Sequence, residues 1–189
     1  MRTLVTGARG FAGRHAIAAL RARGVETRSF EGDVRDAAVC LEQVRLAAPD
    51  AVLHLAAIAS VGDAWRRPDE VRDVNVGGTR NLLAAIERTA PGARVVLVSS
   101  AEVYGAIPED DQPIEEGAAP QPCSPYAESK LEAEAIARDS ALAWVIARAF
   151  PQIGPGQDER FAIASFASQI AAIERGGTAP VIRVGNLDA

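Results

Sequence analysis

Short apolar runs alternate with amphipathic segments along the whole chain. The apolar runs are rich in valine, leucine and isoleucine, as is typical of strands that are buried on both faces of a parallel sheet. They predict strands at residues 2–6, 25–30, 51–55, 94–98, 143–148 and 181–184. Helical spacing predicts helices at about residues 11–23, 36–48, 69–89, 125–139 and 161–175. The alternation predicts an α/β fold with a doubly wound parallel sheet and helices on both faces.

A glycine-rich turn separates the first predicted strand from the first predicted helix. Its spacing is Gly7-x-x-Gly10-x-x-Gly13, and a strand, a turn and a helix in that order are the context of a dinucleotide-binding fingerprint. Gly7 permits the tight turn, Gly10 the approach of a pyrophosphate, and Gly13 close packing of the helix. The turn therefore predicts a Rossmann-type site for NAD or NADP, to which we also assign Arg9 and Phe11.

Two carboxylates follow the glycine turn by about 20 residues, where dinucleotide-binding folds hold the adenosine ribose. Glu31 and Asp33 both qualify, with Val34 beside them, and either carboxylate favours a free 2′-hydroxyl over a 2′-phosphate. Arg28 favours the 2′-phosphate of NADP instead. The balance favours NAD over NADP, and ordinary solvent-exposed loop charges are the alternative interpretation of these residues.

Small and polar residues lie at the ends of the third and fourth predicted strands. Leu55, Ala56 and Ala57 follow the third strand, and Ser100 follows the fourth. The carboxyl ends of parallel strands meet at one edge, where such sheets bind their ligands. We therefore place these residues in the same site as the glycine turn. His54, at the end of the third strand, is interpreted as a core histidine rather than a site residue.

A tyrosine and a lysine share one face of the helix that begins near residue 125. Ser124 is a suitable N-cap and Pro125 suits the first helical position. Tyr126 and Lys130 then fall at positions i and i+4. An adjacent ammonium is expected to lower the pKa of the phenol, so that Tyr126 can act as a general acid or base. The alternative is a surface Tyr and a surface Lys on an ordinary amphipathic helix.

Charge and cysteine content narrow the remaining classes of function. The net charge of −5 gives no basic surface for nucleic acid. The two cysteines, Cys40 and Cys123, show neither a disulfide framework nor metal-ligand spacing, so we expect reduced thiols and no metal site. The N-terminus lacks the pattern of a secretory signal, and no apolar run reaches membrane-spanning length. The sequence therefore predicts a cytoplasmic protein without a membrane or nucleic-acid partner.

In combination, the motifs resemble the extended short-chain dehydrogenase/reductase family that acts on nucleotide-sugars. The matching segments are Thr6-Gly7-x-x-Gly10-Phe11-x-Gly13, His54-Leu55-Ala56-Ala57, Asn75-Val76-x-Gly78-Thr79, Ser99-Ser100-x-x-Val103-Tyr104-Gly105 and Tyr126-x-x-x-Lys130. The resemblance implies that Tyr126 is the acid/base, that Lys130 holds the nicotinamide ribose, and that Ser100 orients the sugar hydroxyl. Glu102 follows Ser100 by two residues, so on an extended segment both would face the sugar, where a carboxylate suits proton transfer at C5. A solvated loop carboxylate is the alternative.

Within that family, the C-terminal motifs look most like the reductases of GDP-4-keto-6-deoxy-mannose. They lie at residues 153–157, 160–161, 165–170 and 184–189. The resemblance implies an NAD(P)-dependent enzyme acting at C4 of a nucleotide-diphosphate sugar. A 4,6-dehydratase or epimerase that retains its NAD is the next reading, and a non-catalytic dinucleotide-binding sensor or scaffold is the alternative from another class.

The resemblance also implies a domain organisation and an assembly. Residues 1–150 would form the NAD(P)-binding domain with the catalytic residues, and residues 151–189 would begin a small C-terminal substrate portion that is largely missing, because family members continue further. A homodimer is expected through the helices at 75–89 and 126–139. Its predicted apolar contacts are Leu82, Ile86, Leu131 and Ile136.

Overall fold

A five-stranded parallel sheet forms the centre of the computed structural model, which describes residues 1–185. The strands are β1 (Arg2–Thr6), β2 (Glu26–Ser29), β3 (Ala51–His54), β4 (Arg94–Ser100) and β5 (Ala143–Ala149). Their order in the sheet is β2-β1-β3-β4-β5, and every neighbouring pair is parallel. The predicted α/β fold with a Rossmann-type parallel sheet is confirmed.

Helices connect the strands, and a further helix follows β5. They are α1 (Phe11–Ala22), α2 (Ala37–Ala47), α3 (Val61–Arg66), α4 (Pro68–Arg72), α5 (Gly78–Thr89), α6 (Pro125–Asp139) and α7 (Ala162–Glu174). The chain moves from β1 outward to β2, then returns across β1 to β3 and continues to β4 and β5. Because parallel crossovers are right-handed, this reversal places α1 on one face and α2, α5 and α6 on the other. The gap between β1 and β3 is therefore the switch point where such sheets bind ligands.

The helix predicted at 69–89 is divided in the structure. A π-helical turn, Asp73–Gly77, separates α4 from α5. Asn75 lies in this turn, and its side-chain amide binds both backbone groups of Ile58 and the hydroxyl of Ser129. The π-helical turn thus carries a side-chain amide that contacts two other segments, which apolar spacing does not reveal.

The hydrophobic core lies between the sheet and helices α2, α5 and α6. Leu4, Val52 and Val95 stack across neighbouring strands within it, and Cys40 is buried there as a free thiol. Leu82 and Ile86 are also fully buried in this core. The prediction that these two residues form a dimer surface is therefore wrong, because the apolar face of α5 packs inward. The other two predicted dimer contacts, Leu131 and Ile136, are half-buried.

The chain divides into two compact units, Met1–Phe150 and Pro151–Ala189. The first contains the sheet, and the second contains α7. The strand predicted at 181–184 is wrong: this segment is irregular, and the backbone of Arg183 bonds the side-chain amide of Gln169 on α7 instead of a sheet neighbour. The predicted motif at 184–189 lies mostly outside the described residues. Among residues 1–185, no helix has the length and apolarity to cross a membrane.

Candidate active site

The glycine turn holds β1, α1 and the end of β3 in close contact. Gly7 has a φ of +65°, and a Cβ at this position would lie 2.8 Å from the amide nitrogen of Ala56. A Cβ on Gly13 would overlap the carbonyl oxygen of Gly7. Both positions therefore exclude any side chain, and Gly10 closes the turn by donating its N–H to the Gly7 carbonyl at 2.9 Å.

A cavity of about 480 Å³ lies beyond the turn, at the switch point of the sheet. Its wall includes most of the residues predicted to hold the cofactor: Gly7, Arg9, Gly10, Glu31, Asp33, Val34, Leu55, Ala56 and Ala57. Four residues assigned to the cofactor do not line the cavity: Phe11 and Gly13 on α1, and Tyr126 and Lys130 on α6. Gly13 is buried in α1 beneath the turn, and Phe11 contacts the ring of His15 edge-on. The structure thus brings the predicted segments from β1, β2 and β3 to one place.

The N-terminus of α1 gives the cavity an anion-binding character. Gly10 is the N-cap of this 12-residue helix, no side chain caps the first turn, and no acidic residue lies there. The first N–H groups of a helix lack helical partners and carry the positive end of its dipole. Together with the cradle that the glycines leave open, these donors fit the pyrophosphate of a dinucleotide.

Ion pairs occupy the part of the cavity that follows β2. The guanidinium of Arg9 pairs with Glu31, and that of Arg35 pairs with Asp33 at 2.6 Å. Hydrogen bonds from the Arg35 side chain and backbone hold the pKa of Asp33 below its usual value. Arg28 pairs with Glu26 on β2 at 3.8 Å and does not line the cavity. Both candidate ribose carboxylates therefore already have a cationic partner, which sequence spacing did not indicate.

His54 is a structural residue, as its position in the core predicted. Its Nδ1 lies 2.7 Å from the hydroxyl of Thr6, and its Nε2 lies 3.0 Å from that of Thr79. Thr79 donates its proton to the carbonyl of Asn75, so it accepts from Nε2, and Thr6 donates to Nδ1. Burial lowers the pKa of His54 to about 3, so the ring is neutral. The hydroxyl of Thr6 also accepts from the N–H groups of Leu55 and Ala56, which fixes the backbone beside the cavity.

Helix α6 carries the predicted tyrosine and lysine at the same edge of the sheet. The hydroxyl of Ser124 caps the helix by accepting from Ala127 N–H at 3.1 Å, and Pro125 occupies its first position. Tyr126 and Lys130 are 8% and 7% exposed, so the interpretation as ordinary surface residues is excluded. Ser100 ends β4 and is hydrogen-bonded to Tyr126.

The protonation of this pair differs from the prediction. Burial raises the pKa of Tyr126; the hydrogen bond with Ser100 acts in the opposite direction, and the charge of Glu102 raises the pKa further. Burial lowers the pKa of Lys130 to about 8, and Glu134 opposes that shift. The expectation that Lys130 lowers the pKa of Tyr126 is wrong for this structure, because loss of hydration dominates at both groups.

Glu102 reaches the site by a different geometry from the one predicted. It lies in a 3₁₀ turn, Ala101–Tyr104, rather than on an extended segment, so the argument that it shares a face with Ser100 is wrong. The hydroxyl of Ser100 caps this turn by accepting from the N–H of Glu102 at 3.2 Å. The carboxylate is exposed, yet its charge acts on Tyr126.

Sequence reasoning missed the residues that hold α6 in place. Ser129, between Tyr126 and Lys130, donates to the carbonyl of Tyr126 at 2.7 Å and accepts from the side-chain amide of Asn75 at 2.9 Å. Glu134 is completely buried one helical turn beyond Lys130. Its position at i+4 from Lys130 was visible in the sequence, but an acidic residue on a helix is usually exposed.

Comparisons with known proteins identify the family of the chain. A model of the NAD dependent epimerase/dehydratase family matches residues 3–189. The chain is 37% identical to GDP-6-deoxy-D-mannose reductase of Pseudomonas aeruginosa, over 99% of this chain and 64% of that protein. It is 38% identical to UDP-glucose 4-epimerase of Yersinia pestis, over 64% of this chain and 35% of that protein.

The fold also matches a solved relative. The structure of RMD from Pseudomonas aeruginosa complexed with NADPH superposes with a TM-score of 0.87 and 36% identity, over 94% of this chain and 62% of that one. The chain thus spans less than two thirds of the length of these relatives. The family match covers nearly every residue, in agreement with the resemblance found in the sequence. The chain belongs to the NAD-dependent epimerase/dehydratase family.

Proposed function

We propose that the protein is an NAD(P)-dependent oxidoreductase that acts at C4 of a nucleotide-diphosphate sugar. The observation that carries this proposal is the burial of Tyr126 and Lys130 side by side on α6, next to Ser100. Burying two titratable side chains opposes folding, so their burial side by side is typical of a functional site. They lie at the C-terminal edge of the sheet, as does the glycine turn, where a reacting sugar can meet both.

The cavity at the switch point would hold the dinucleotide. The N–H groups at the start of α1 would bind its pyrophosphate, and Leu55, Ala56 and Ala57 would line its path towards α6. The nicotinamide ring of the bound cofactor supplies or accepts the hydride. Solved relatives with NADPH or with NAD support either cofactor for this site.

Tyr126 would move the proton at the sugar oxygen. Its raised pKa keeps the phenol protonated at neutral pH, so it is ready to donate to the oxygen of a 4-keto sugar as that carbonyl is reduced. Ser100 would orient the same oxygen by a hydrogen bond. Lys130 would hold the nicotinamide ribose of the cofactor, as the resemblance implies. The protonated state of Tyr126, and the similarity to GDP-6-deoxy-D-mannose reductase, favour a reductase of a GDP-4-keto-6-deoxy-hexose.

A second candidate is an epimerase or dehydratase that retains its NAD. Glu102 supports it, because its charge acts on Tyr126 and a carboxylate near the sugar would suit proton transfer at a carbon beside a 4-keto group. Several similar proteins are UDP-glucose 4-epimerases or dTDP-glucose 4,6-dehydratases. Turnover of GDP-mannose or a UDP-hexose without added NAD(P)H would favour this candidate, whereas NADPH consumption with a GDP-4-keto-6-deoxy-hexose favours the reductase.

Replacement of the tyrosine hydroxyl tests both candidates. Tyr126→Phe removes one oxygen and keeps the ring, so we expect NADPH affinity to stay within about threefold while turnover falls by at least about 100-fold. Fluorescence titration of NADPH and a steady-state assay measure the two quantities on one preparation. Turnover that survives this substitution would refute the role of Tyr126, and loss of both quantities would show that the side chain acts in cofactor binding instead.

A further inference from the structure

A completely buried carboxylate lies beside the proposed proton-transfer pair. Glu134, on α6, has 0% exposure, and both of its oxygens are hydrogen-bonded. One oxygen accepts from the Ser99 hydroxyl at 2.6 Å and the Arg148 Nε at 3.0 Å, and the other from Arg138 and Arg148 at 2.8 Å each. Burial alone would raise the pKa of Glu134, but the bonds from Arg148, Ser99 and Arg138 together lower it, so the carboxylate is ionised.

The partners of Glu134 belong to each segment that forms the proton-transfer site. Ser99 precedes Ser100 at the end of β4, and Arg148 lies directly opposite Ser99 on β5. The guanidinium of Arg148 also stacks on the ring of Tyr104 at 4.7 Å, in the 3₁₀ turn that carries Glu102. One carboxylate on the Tyr126/Lys130 helix therefore ties that helix to both strand ends and, through Arg148, to the turn.

Glu134 also sets the charge around Lys130. The two residues lie one helical turn apart, which places the carboxylate near the ammonium. Burial lowers the pKa of Lys130 to about 8, and Glu134 is the group that counters this shift. The other titratable or charged groups around this part of α6 are His54, Glu102, Tyr104, Tyr126, Arg138, Arg148 and the exposed pair of Arg72 with Glu132. Among them His54 is neutral, and the two arginines that bond Glu134 have the same sign as Lys130.

We propose that Glu134 is a positioning residue of this site, which anchors α6 to the ends of β4 and β5 and places a negative charge beside the Lys130 ammonium. The inference rests on the proposed function for its catalytic meaning. The electrostatic interaction between Glu134 and Lys130 can be measured without turnover. A purely structural carboxylate would tie the same elements together but would leave the titration of Lys130 unchanged.

Lys130 is the sole lysine in the sequence, which makes its titration directly observable. Protein made with ¹³C- and ¹⁵N-labelled lysine gives one set of side-chain resonances, and the chemical shifts of Cε and Nζ against pH report the pKa of Lys130 in the cofactor-free chain. Glu134→Gln keeps the shape and removes the charge, leaving two arginines uncompensated. We expect the pKa of Lys130 to fall by about 1 unit. A change of less than about 0.3 unit, the size expected of a distant charge, would overturn the inference.

A second variant keeps the test decisive if Glu134→Gln does not fold. Arg138 bonds Glu134 from a side chain that is 43% exposed, so Arg138→Gln removes a positive charge with little loss of packing. It lies two helical turns from Lys130, or roughly 12 Å, and the pKa of Lys130 should rise by about 0.3 unit. Glu132→Gln, on the same helix but paired with the exposed Arg72, is the matched control for Glu134→Gln and should change the pKa of Lys130 by less than about 0.3 unit.

Opposite shifts in Glu134→Gln and Arg138→Gln, with a much smaller shift in Glu132→Gln than in Glu134→Gln, support the inference, because general loosening of α6 would move the first two in one direction. A fall in the pKa of Lys130 in Arg138→Gln would overturn it. These results are independent of the outcome with Tyr126→Phe. Retained turnover in Tyr126→Phe would remove the proposed chemistry, whereas an unchanged Lys130 titration in Glu134→Gln would remove the role of Glu134 alone.

Discussion

The two ends of the candidate site are built by opposite means. At the cofactor end, Gly7 and Gly13 work because they have no side chains, and the charged residues, Arg9 with Glu31, are exposed. At the proton-transfer end, Tyr126 and Lys130 are buried titratable groups. Steric exclusion controls the first end, and loss of hydration controls the second.

The difference determines how each end responds to change. A steric requirement is nearly all-or-none, because a new Cβ fits only if the packed backbone around it shifts. A buried charged group responds gradually, because each neighbouring charge shifts its pKa by some amount. Its effect on the free energy of unfolding also changes over a range of pH. Substitutions at the cofactor end should therefore mainly change the affinity for the dinucleotide. Substitutions at the proton-transfer end should change both the pKa values of the buried groups and the stability of the fold.

The largest effect is expected at Gly7. Gly7→Ala would place a methyl group 2.8 Å from the Ala56 nitrogen, and Gly24→Ala is its matched control, with a φ of +72° and no atom within 4 Å of the new Cβ. Both should lose about 1–2 kcal/mol of stability from the left-handed backbone. Only Gly7→Ala should also displace the backbone beside the cavity and weaken NADPH binding by about 100-fold or more. Thermal unfolding and NADPH titration of both variants separate the two effects, and equal affinities would contradict the steric argument.

A smaller effect, of opposite sign for stability, is expected at Lys130. Its pKa is about 8 when folded against 10.5 when unfolded, so below pH 8 the buried ammonium destabilises the protein by about 3 kcal/mol. Between pH 8 and 10.5 the unfolded state binds more protons than the folded state, and the wild-type protein should gain stability as pH rises. Lys130→Met should therefore be about 2–3 kcal/mol more stable at pH 7, without that pH dependence, and should lose turnover.

Urea unfolding of the wild type and of Lys130→Met at several pH values between 7 and 10.5 measures how the free energy of unfolding depends on pH in each. An equally steep rise of stability with pH in Lys130→Met would assign the dependence to other groups. A variant that is less stable than the wild type at pH 7 would show that contacts of the lysine outweigh the cost of burying its charge.

The glycine turn, the parallel sheet and the start of α6 could be predicted from the sequence because each depends on local chemistry. A glycine at a tight turn, a run of β-branched residues, or a serine before Pro125 has the same meaning in nearly every context. His54 was also placed correctly, because a polar residue that ends a buried strand needs partners within the core.

The features that were missed depend on neighbours distant in sequence. The π-helical turn carries the Asn75 amide, which reaches Ile58 and Ser129, and apolar spacing carries no information on either contact. Leu82 was assigned to a dimer surface because an apolar helix face can cover a core or a partner equally well. The pKa directions at Tyr126 and Lys130 were missed because spacing reveals the neighbouring charge but not the loss of water.

The smallest effect is expected at the adenosine end, where the charges are exposed. Glu31→Gln releases the guanidinium of Arg9 from its carboxylate, so that Arg9 can bind the 2′-phosphate that distinguishes NADPH from NADH. Exposed ion pairs contribute little, so we expect the ratio of the two dissociation constants to shift towards NADPH by only about 3- to 10-fold. Glu26→Gln, whose carboxylate pairs with Arg28 outside the cavity, is the control and should leave the ratio unchanged. A shift towards NADH in Glu31→Gln would contradict this expectation. It would mean that Arg9 binds the 2′-phosphate only when Glu31 holds its guanidinium in position.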